Sequence, residues 1–292
     1  MVNESFEIPA LIDDGLLTPE VKPHSLEKYR AISYFLKIFS ASMKDKWSNR
    51  VYIDFFSGAG RSKIEGLNQI VPGSPLLALG IENKFDKYIF CEKEPLLCKV
   101  LYERVAGLCN PENFKIIPGD VNQNKELILK EIPPFKKGNT CLSFCLVDPF
   151  RLNDIKFQTI KYLADKLLVD FLILIPSNMD ANRNESIYVD PDEDAVDDFL
   201  GDKDWRLEWV NKKGKMKFGL FVLECFCKKM KKLKYVYKGP EDTMRVMLKE
   251  KNFALYHLML FSRNPLGYQF WENTKRGINP QMGFDFKEKT NG

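Results

Sequence analysis

The sequence predicts an α/β protein built on a doubly wound, mostly parallel sheet with an antiparallel C-terminal edge. Three features of the chain lead to this prediction. Short apolar runs alternate with helical segments between residues 50 and 175, several of these runs end at an acidic residue, and two further β-type runs follow near residue 250. Strands buried on both faces have near-continuous apolar sequences, and their alternation with helices is typical of a parallel sheet covered on both sides.

A long amphipathic helix is predicted to begin at Ser25, a suitable N-cap that follows an irregular lead-in at residues 1–24. The apolar residues of this helix recur every three or four positions, so they share one face. They are Leu26, Tyr29, Ile32, Leu36, Phe39, Met43 and Trp47.

The remaining elements follow in the order expected for one domain, since no Gly- or Ser-rich linker interrupts them. We expect this domain to span residues 25–275, with a charged insertion at about 185–238 and a C-terminal tail at 276–292. Parallel strands are predicted at 50–56, 87–92, 114–117, 140–147 and 169–175, helices at 95–105, 126–131 and 157–166, and final strands at 243–248 and 253–261.

Composition indicates a globular protein, because 45% of the residues are apolar and 13% are aromatic. The N-terminus has no basic segment followed by an apolar one, and the run Phe171–Ile175 is far too short for a membrane span. Cysteines inside apolar runs, such as Cys91 and Cys145, are typical of a reducing compartment, so we expect a cytoplasmic protein. A metal site at Cys225 and Cys227 is the less favoured alternative, because no second pair accompanies them.

The strongest functional signal is the turn after the first strand, Asp54-Phe-Phe-Ser57-Gly58-Ala-Gly60. Glycines there allow a ligand to approach the backbone, although a purely structural tight turn is the alternative. Acidic residues also close the next three strands, at Glu92, Asp120 and Asp148. The carboxyl ends of parallel strands meet at one edge of a sheet, so we expect these acids to line one crevice.

The pattern favours S-adenosylmethionine over a phosphate-bearing ligand. The third glycine of a dinucleotide motif is absent, since Lys63 stands in its place, and there is no phosphate-cradling loop. An acidic crevice suits a cofactor with a positive sulfonium and an ammonium group.

The turn resembles the first motif of class I methyltransferases, in the D-x-F-x-G-x-G form found in DNA methyltransferases. The whole set of motifs is similar to the three-Cys-motif partner protein family, over residues 25–273. The matching segments are Tyr52–Arg61, Gly73–Leu79, Phe90–Pro95, Gly119–Asn122, Leu146–Phe150, Asn182–Asn184, Leu255–Leu258 and Pro265–Gly267.

This resemblance implies a Rossmann-like class I methyltransferase sheet, S-adenosylmethionine as cofactor, and association with a three-cysteine protein that resembles radical-SAM enzymes. The chain departs from the family at Ser57 and Ala59, which are both small, and at Glu92, where aspartate is common. The resemblance implies that Asp54, Ser57, Gly58 and Gly60 surround the methionine part, Glu92 the ribose and Asp120 the adenine.

Asp148, Pro149 and Phe150 are the predicted catalytic residues. Amino-group methyltransferases use a related motif with one more proline, in which the first residue holds the target amine and the aromatic ring stacks on a flipped base. A strand-ending turn set by Pro149 is the alternative. A cysteine nucleophile is not expected, because neither Cys91, Cys98 nor Cys145 lies in a proline-cysteine loop.

The segment Lys212–Lys238 interleaves lysines with aromatic residues. Such a stretch suits phosphate attraction with base stacking, and a solvated helix face is the alternative. The excess of 44 basic over 40 acidic residues is too small to predict nucleic-acid binding by itself. We expect a methyltransferase that acts on a nitrogen of a nucleic-acid base, or else a non-catalytic subunit of the three-cysteine partner.

Overall fold

The computed structural model describes residues 7–236, 239, 242–248 and 253–278 and contains a seven-stranded sheet. The strands of the described residues are β1 (Glu20–Val21), β2 (Asn49–Asp54), β3 (Arg61–Ile64), β4 (Gln69–Pro72), β5 (Lys87–Glu92), β6 (Phe114–Pro118), β7 (Cys141–Val147), β8 (Val169–Ile175), β9 (Met244–Leu248) and β10 (Phe253–Phe261). The order in the seven-stranded sheet is β6-β5-β2-β7-β8-β10-β9, and the first five strands run parallel.

The predicted fold class is confirmed. Strand β10 pairs antiparallel with both β8 and β9, which gives the sheet the antiparallel C-terminal edge. The strand order reverses between β2 and β7, because β5 and β6 continue on one side of β2 and β7 lies on the other. In open α/β sheets ligands bind outside the carboxyl ends of the strands at such a reversal.

Helices cover both faces of the sheet. One face packs against α1, α2, α3 and α10, and the other against α4, α5, α7, α8 and α9. The helices are α1 (Ser25–Met43), α2 (Ser74–Leu79), α3 (Pro95–Ala106), α4 (Lys125–Lys130), α5 (Phe157–Lys166), α6 (Glu185–Tyr188), α7 (Ala195–Leu200), α8 (Trp205–Lys212), α9 (Phe218–Lys232) and α10 (Pro265–Ile278), with 3-10 turns at Pro111–Asn113 and Leu152–Asp154 and a π turn at Ser177–Ala181.

Alternation along each central strand supplies both cores. Val51 and Ile53 of β2 belong to one apolar cluster, whereas Tyr52 between them belongs to the other. None of the three has exposed surface. Each strand therefore needs apolar residues on both of its faces, which explains the continuous runs in the sequence.

Two local predictions about the first helix are corrected. His24 occupies the N-cap position, and Ser25 is already helical. The helix ends at Met43, so Trp47 packs against the core from the following loop. Asp45 adopts a left-handed conformation (φ 61°), and this turn away from the helix axis moves Trp47 off the helix face.

Several elements lie in segments for which no regular structure was predicted. Within residues 1–24, β1 pairs with β3 in a small second sheet. The charged region that follows β8 forms α6 to α9, and the apolar face of α9 covers the main sheet. Tyr237, Lys238 and residues 279–292 lie outside the described residues. Among the helices that are described, none has the length and apolarity needed to cross a bilayer.

Candidate functional site

The carboxyl ends of β2, β5, β6 and β7 are joined by backbone hydrogen bonds between their loops. Ser57 N–H donates to the Cys91 carbonyl (3.0 Å), Gly119 N–H to the Glu92 carbonyl (2.9 Å), and Phe55 N–H to the Leu146 carbonyl (3.1 Å). These bonds place all nine predicted site residues at one edge of the sheet. They are Asp54, Ser57, Gly58, Gly60, Glu92, Asp120, Asp148, Pro149 and Phe150.

The glycine turn uses left-handed backbone at both Gly58 (φ 60°) and Gly60 (φ 81°), a conformation that L-residues rarely adopt. The surroundings of the two glycines differ. A Cβ on Gly60 would lie 3.0 Å from Leu101 Cδ1, whereas a Cβ on Gly58 would meet nothing within 4 Å. Gly60 is therefore needed for packing against α3, and Gly58 faces open space at the crevice.

Asp54 supports this turn from beneath. Its side chain has no exposed surface, and its carboxylate accepts hydrogen bonds from the Tyr52 hydroxyl (3.1 Å) and from Phe56 N–H (3.2 Å). Burial raises the pKa of Asp54 to about 7, against the hydrogen bond from the Ser74 side chain, which lowers it. The geometry gives Asp54 the task of fixing the loop.

Glu92 joins the first and second loops. One carboxylate oxygen accepts a hydrogen bond from Gly58 N–H and the other from Glu94 N–H, both at 2.8 Å. Each oxygen keeps a second lone pair, and the side chain is only partly buried. Glu92 can therefore hold the glycine turn and still accept hydrogen bonds from a diol.

Asp120 closes a turn at the end of β6, where its Oδ1 accepts a hydrogen bond from Asn122 N–H (2.7 Å). Asn122 then reaches the loop after β7. Its Nδ2 donates to the Asp154 carbonyl (3.0 Å), and its Oδ1 accepts from Lys156 N–H (2.9 Å). Asn122 lies in the motif Gly119–Asn122, but no role was predicted for it. In the structure its side chain links the loop after β6 to the loop after β7.

Asp148 forms an ion pair with Lys28 of α1, at 2.6 Å between Nζ and Oδ2. The side chains are 16% and 13% exposed for Lys28 and Asp148, so the pair is largely removed from water. Burial opposes the charge on Lys28, but the attraction of Asp148 outweighs it and raises the pKa of Lys28 above its usual value. Sequence reasoning missed Lys28, because a lysine on an amphipathic helix is typical of a solvent-facing position.

Pro149 is buried, whereas Phe150 is 73% exposed and lies beside a cavity of about 440 Å³. The Arg151 guanidinium lies 6.0 Å from the centroid of the Phe150 ring. An exposed aromatic ring at the mouth of a cavity is a feature of ligand-binding surfaces.

Arg104 supports the glycine turn from α3 and was not predicted. Its side chain is almost completely buried and donates to the Ala59 carbonyl (2.6 Å) and to Asp14 (2.9 Å). The hydrogen bond from Arg104 lowers the pKa of Asp14 to about 2. This pair fastens the N-terminal segment beside the turn.

The lysine-rich segment differs from its prediction in one respect. Phe218 and Tyr235 are buried in the core, so they cannot stack on bases; the apolar face of α9 needs them for packing. Lys228 pairs with Glu208 (3.2 Å) and Lys229 with Asp202. The other lysines of the segment that the structure describes, including Lys231 and Lys232, are exposed.

The cysteines of the described residues form no disulfide bonds, and burial raises the pKa of the Cys91 and Cys145 thiols well above its usual value. A thiol that stays protonated is a poor nucleophile. Cys225 and Cys227 are buried on α9, and the part of the chain that the structure describes contains no group of three or more histidine, cysteine or acidic residues arranged to hold a metal.

Comparison with known proteins adds structural neighbours only. No protein-family model matches the chain, and no curated protein matches it in sequence. Among solved structures, it is similar to protein LPL1258 from Legionella pneumophila (14% identity, TM-score 0.46, covering 86% of this chain and 92% of that one). It is also similar to an O-methyltransferase from Bacillus cereus in complex with SAH (10% identity, TM-score 0.44, covering 85% of this chain and 84% of that one). A third similar structure is cofactor-bound Rv0187 from MTB (12% identity, TM-score 0.39, covering 90% of this chain and 86% of that one). The fold assignment rests on the strand order, because similarities this weak transfer no substrate or mechanism.

The two glycines are expected to respond differently to alanine. Gly58→Ala places a methyl group in the open crevice, so we expect cofactor affinity to fall by at least tenfold with a stability loss of about 1–2 kcal/mol from the left-handed backbone. Gly60→Ala adds a clash with Leu101 and is expected to cost more stability. Urea denaturation measures the loss of stability, and ligand titration measures the loss of affinity.

Gly66→Ala is the matched control, since Gly66 is also left-handed (φ 74°) with nothing within 4 Å of its Cβ, but lies in the β3–β4 turn. It should lose stability as Gly58→Ala does and keep its affinity. Equal affinities for the Gly58 and Gly66 variants would place the ligand elsewhere.

Proposed function

We propose that this protein binds S-adenosylmethionine at the carboxyl edge of its sheet and transfers the methyl group to a nitrogen of a nucleic-acid base. The observation that carries the proposal is the position of Asp148 and the exposed Phe150. Both follow β7, directly across the strand-order reversal from the glycine turn. A donor held over the turn and an acceptor held at Phe150 would meet beside Asp148.

The crevice fits the cofactor. The open backbone at Gly58 would receive the methionine part, the partly buried Glu92 would accept hydrogen bonds from the ribose hydroxyls, and Asp120 would lie toward the adenine. Lys28 already balances the charge of Asp148, so the negative field at this edge comes mainly from Glu92 and Asp120. This field favours a positively charged sulfonium, whose methyl group is the electrophile that the bound cofactor supplies.

The acceptor is oriented by this chain's own residues. Asp148 Oδ1 is not used by Lys28, which contacts Oδ2, so it is available to accept a hydrogen bond from an amino group. The ion pair with the Lys28 ammonium holds the carboxylate in one position. The Phe150 ring offers a flat apolar surface for a base that has left its stack.

A second candidate function is that of a non-catalytic subunit of a three-cysteine partner protein. The Asp148–Lys28 pair favours it, because the ammonium already occupies one side of the carboxylate that an acceptor amine would use. The shortened Asp-Pro-Phe motif points the same way.

A transfer assay separates the two functions. The purified protein, with and without its three-cysteine partner, is incubated with labelled S-adenosylmethionine and pooled DNA and RNA. Label in the nucleic acid is expected for the enzyme. The absence of label in every combination, with cofactor binding intact, would leave the subunit function.

A further inference from the structure

We propose that the cavity beside Phe150 contains a phosphate subsite, in which Arg151 and Arg183 hold the phosphate of the nucleotide whose base lies on Phe150. The inference rests on the proposed function, because that function places the methyl donor next to the cavity. It goes further in naming the acceptor as a phosphate-bearing unit and in assigning the groups that recognise it.

The cavity lies between the loops that follow β7 and β8, with β10 at its back. Its volume of about 440 Å³ is within the range of pockets that hold a small molecule. Phe150 and Arg151 come from the first loop, Arg183 and Ile187 from the second, and Tyr256 from β10. Aromatic and cationic groups therefore face the same space.

Within the described ranges, neither the Arg151 nor the Arg183 guanidinium forms an ion pair, and both side chains are exposed. By contrast, Arg104 is paired with Asp14 and Arg206 with Asp197. Arginine forks without a carboxylate are suited to bind phosphate through paired N–H donors.

Two acids also line the cavity, and both are engaged by the protein itself. Asp180 is 4% exposed and accepts hydrogen bonds from Leu152 N–H (2.7 Å), Asn184 Nδ2 (2.6 Å) and the Tyr188 hydroxyl (2.8 Å). Glu193 accepts a hydrogen bond from Ala195 N–H (3.2 Å). Both oxygens of Asp180 hold the walls together, whereas Glu193 is engaged through Oε1 alone, so the two guanidinium groups are the cationic groups that face a ligand.

The start of α9 lies at the same end of the sheet as the cavity, because Gly219 N–H donates to Asn182 Oδ1 (2.6 Å), next to Arg183 in the chain. Lys213 and Lys215, which precede this helix start, and Asp190 and Asp192, which follow α6, are all exposed. The C-terminal end of α9 lies at the amino end of β8, because the Arg263 guanidinium donates hydrogen bonds to both the Leu233 carbonyl and the Ala164 carbonyl.

The test compares each nucleoside 5′-monophosphate with its nucleoside as a probe, in the presence of saturating S-adenosylhomocysteine so that the adenine site is filled. Calorimetry is expected to show the monophosphate binding about tenfold or more tightly than the nucleoside. The double variant Arg151→Gln/Arg183→Gln is expected to reduce this preference to within about twofold, with the affinity for S-adenosylhomocysteine unchanged.

The control is Lys231→Gln/Lys232→Gln, which removes the same charge at the opposite edge and should keep the preference. Three outcomes would overturn the subsite. The preference for the monophosphate over its nucleoside could survive the arginine change, it could fall equally in the lysine control, or no monophosphate could bind. A failure of S-adenosylhomocysteine to bind would instead count against the proposed function. A single-stranded DNA hexamer that binds more tightly than the monophosphates would identify a nucleic-acid strand as the source of the phosphate. Tighter binding of a monophosphate would identify a free nucleotide as the source. Both results support the subsite.

Discussion

Asp148→Ala is expected to lower the rate of methyl transfer by about a hundredfold, the usual scale for losing one positioned polar group in proton or hydrogen-bond catalysis. Alanine has no oxygen to accept a hydrogen bond from the target amine. The affinity for S-adenosylmethionine should stay within a few-fold, because the cofactor's hydrogen bonds come from other loops. Single-turnover kinetics with labelled cofactor measure the rate.

Asp165→Ala is the matched control for this change. Asp165 also pairs with a lysine, Lys161, but the pair is about half exposed on α5. Its loss should affect neither rate nor affinity. If Asp148→Ala transferred methyl groups at the normal rate, the cofactor site would stand and Asp148 would lose its assigned role.

Glu92→Ala is expected to weaken S-adenosylmethionine binding by about ten- to more than a hundredfold. This range corresponds to about 1.5–3 kcal/mol, the usual contribution of a hydrogen bond to a charged group. The change removes both the ribose acceptor and the oxygen that receives Gly58 N–H, so the first turn also loses a contact. Calorimetric titration gives the affinity, and thermal unfolding shows whether the fold persists.

The control for this variant is Glu94→Ala, two residues further along and exposed. This substitution removes the same charge from the same loop. The contact of Glu94 with Glu92 is made by its backbone N–H, which alanine keeps. Equal losses in both variants would mean that the general negative field, and not the Glu92 carboxylate, holds the cofactor. Asp54→Ala is less informative, because Asp54 is buried beneath the turn and its loss also lowers stability.

The sequence predicted elements best where one run of apolar residues is bounded by polar ones. Residues 87–92, 169–175 and 253–261 form strands with the predicted bounds, because burial on both faces requires a nearly continuous run of apolar residues. The hairpin of β3 and β4 went unrecognised, since each strand has only four residues and buries one face. Short, half-buried strands leave too few positions for a pattern to emerge.

For the candidate site, local sequence located the edge but not what supports it. Glu92 and Asp148 were found because parallel strands bring their carboxyl ends together. Lys28 and Arg104 were not, because their partners are 120 and 90 residues away in the chain. A pairing over such a distance depends on how α1 and α3 pack against the sheet, which no short motif encodes.

The most direct test of the account is a calorimetric titration of the isolated protein with S-adenosylmethionine and, separately, with ATP. The acidic crevice, with its open turn at Gly58, predicts one equivalent of S-adenosylmethionine bound and much weaker binding of ATP, because its triphosphate would take the place of the methionine part, next to the Glu92 carboxylate. Binding of ATP in preference to S-adenosylmethionine, or no binding of S-adenosylmethionine by the folded protein, would contradict the assignment of this crevice.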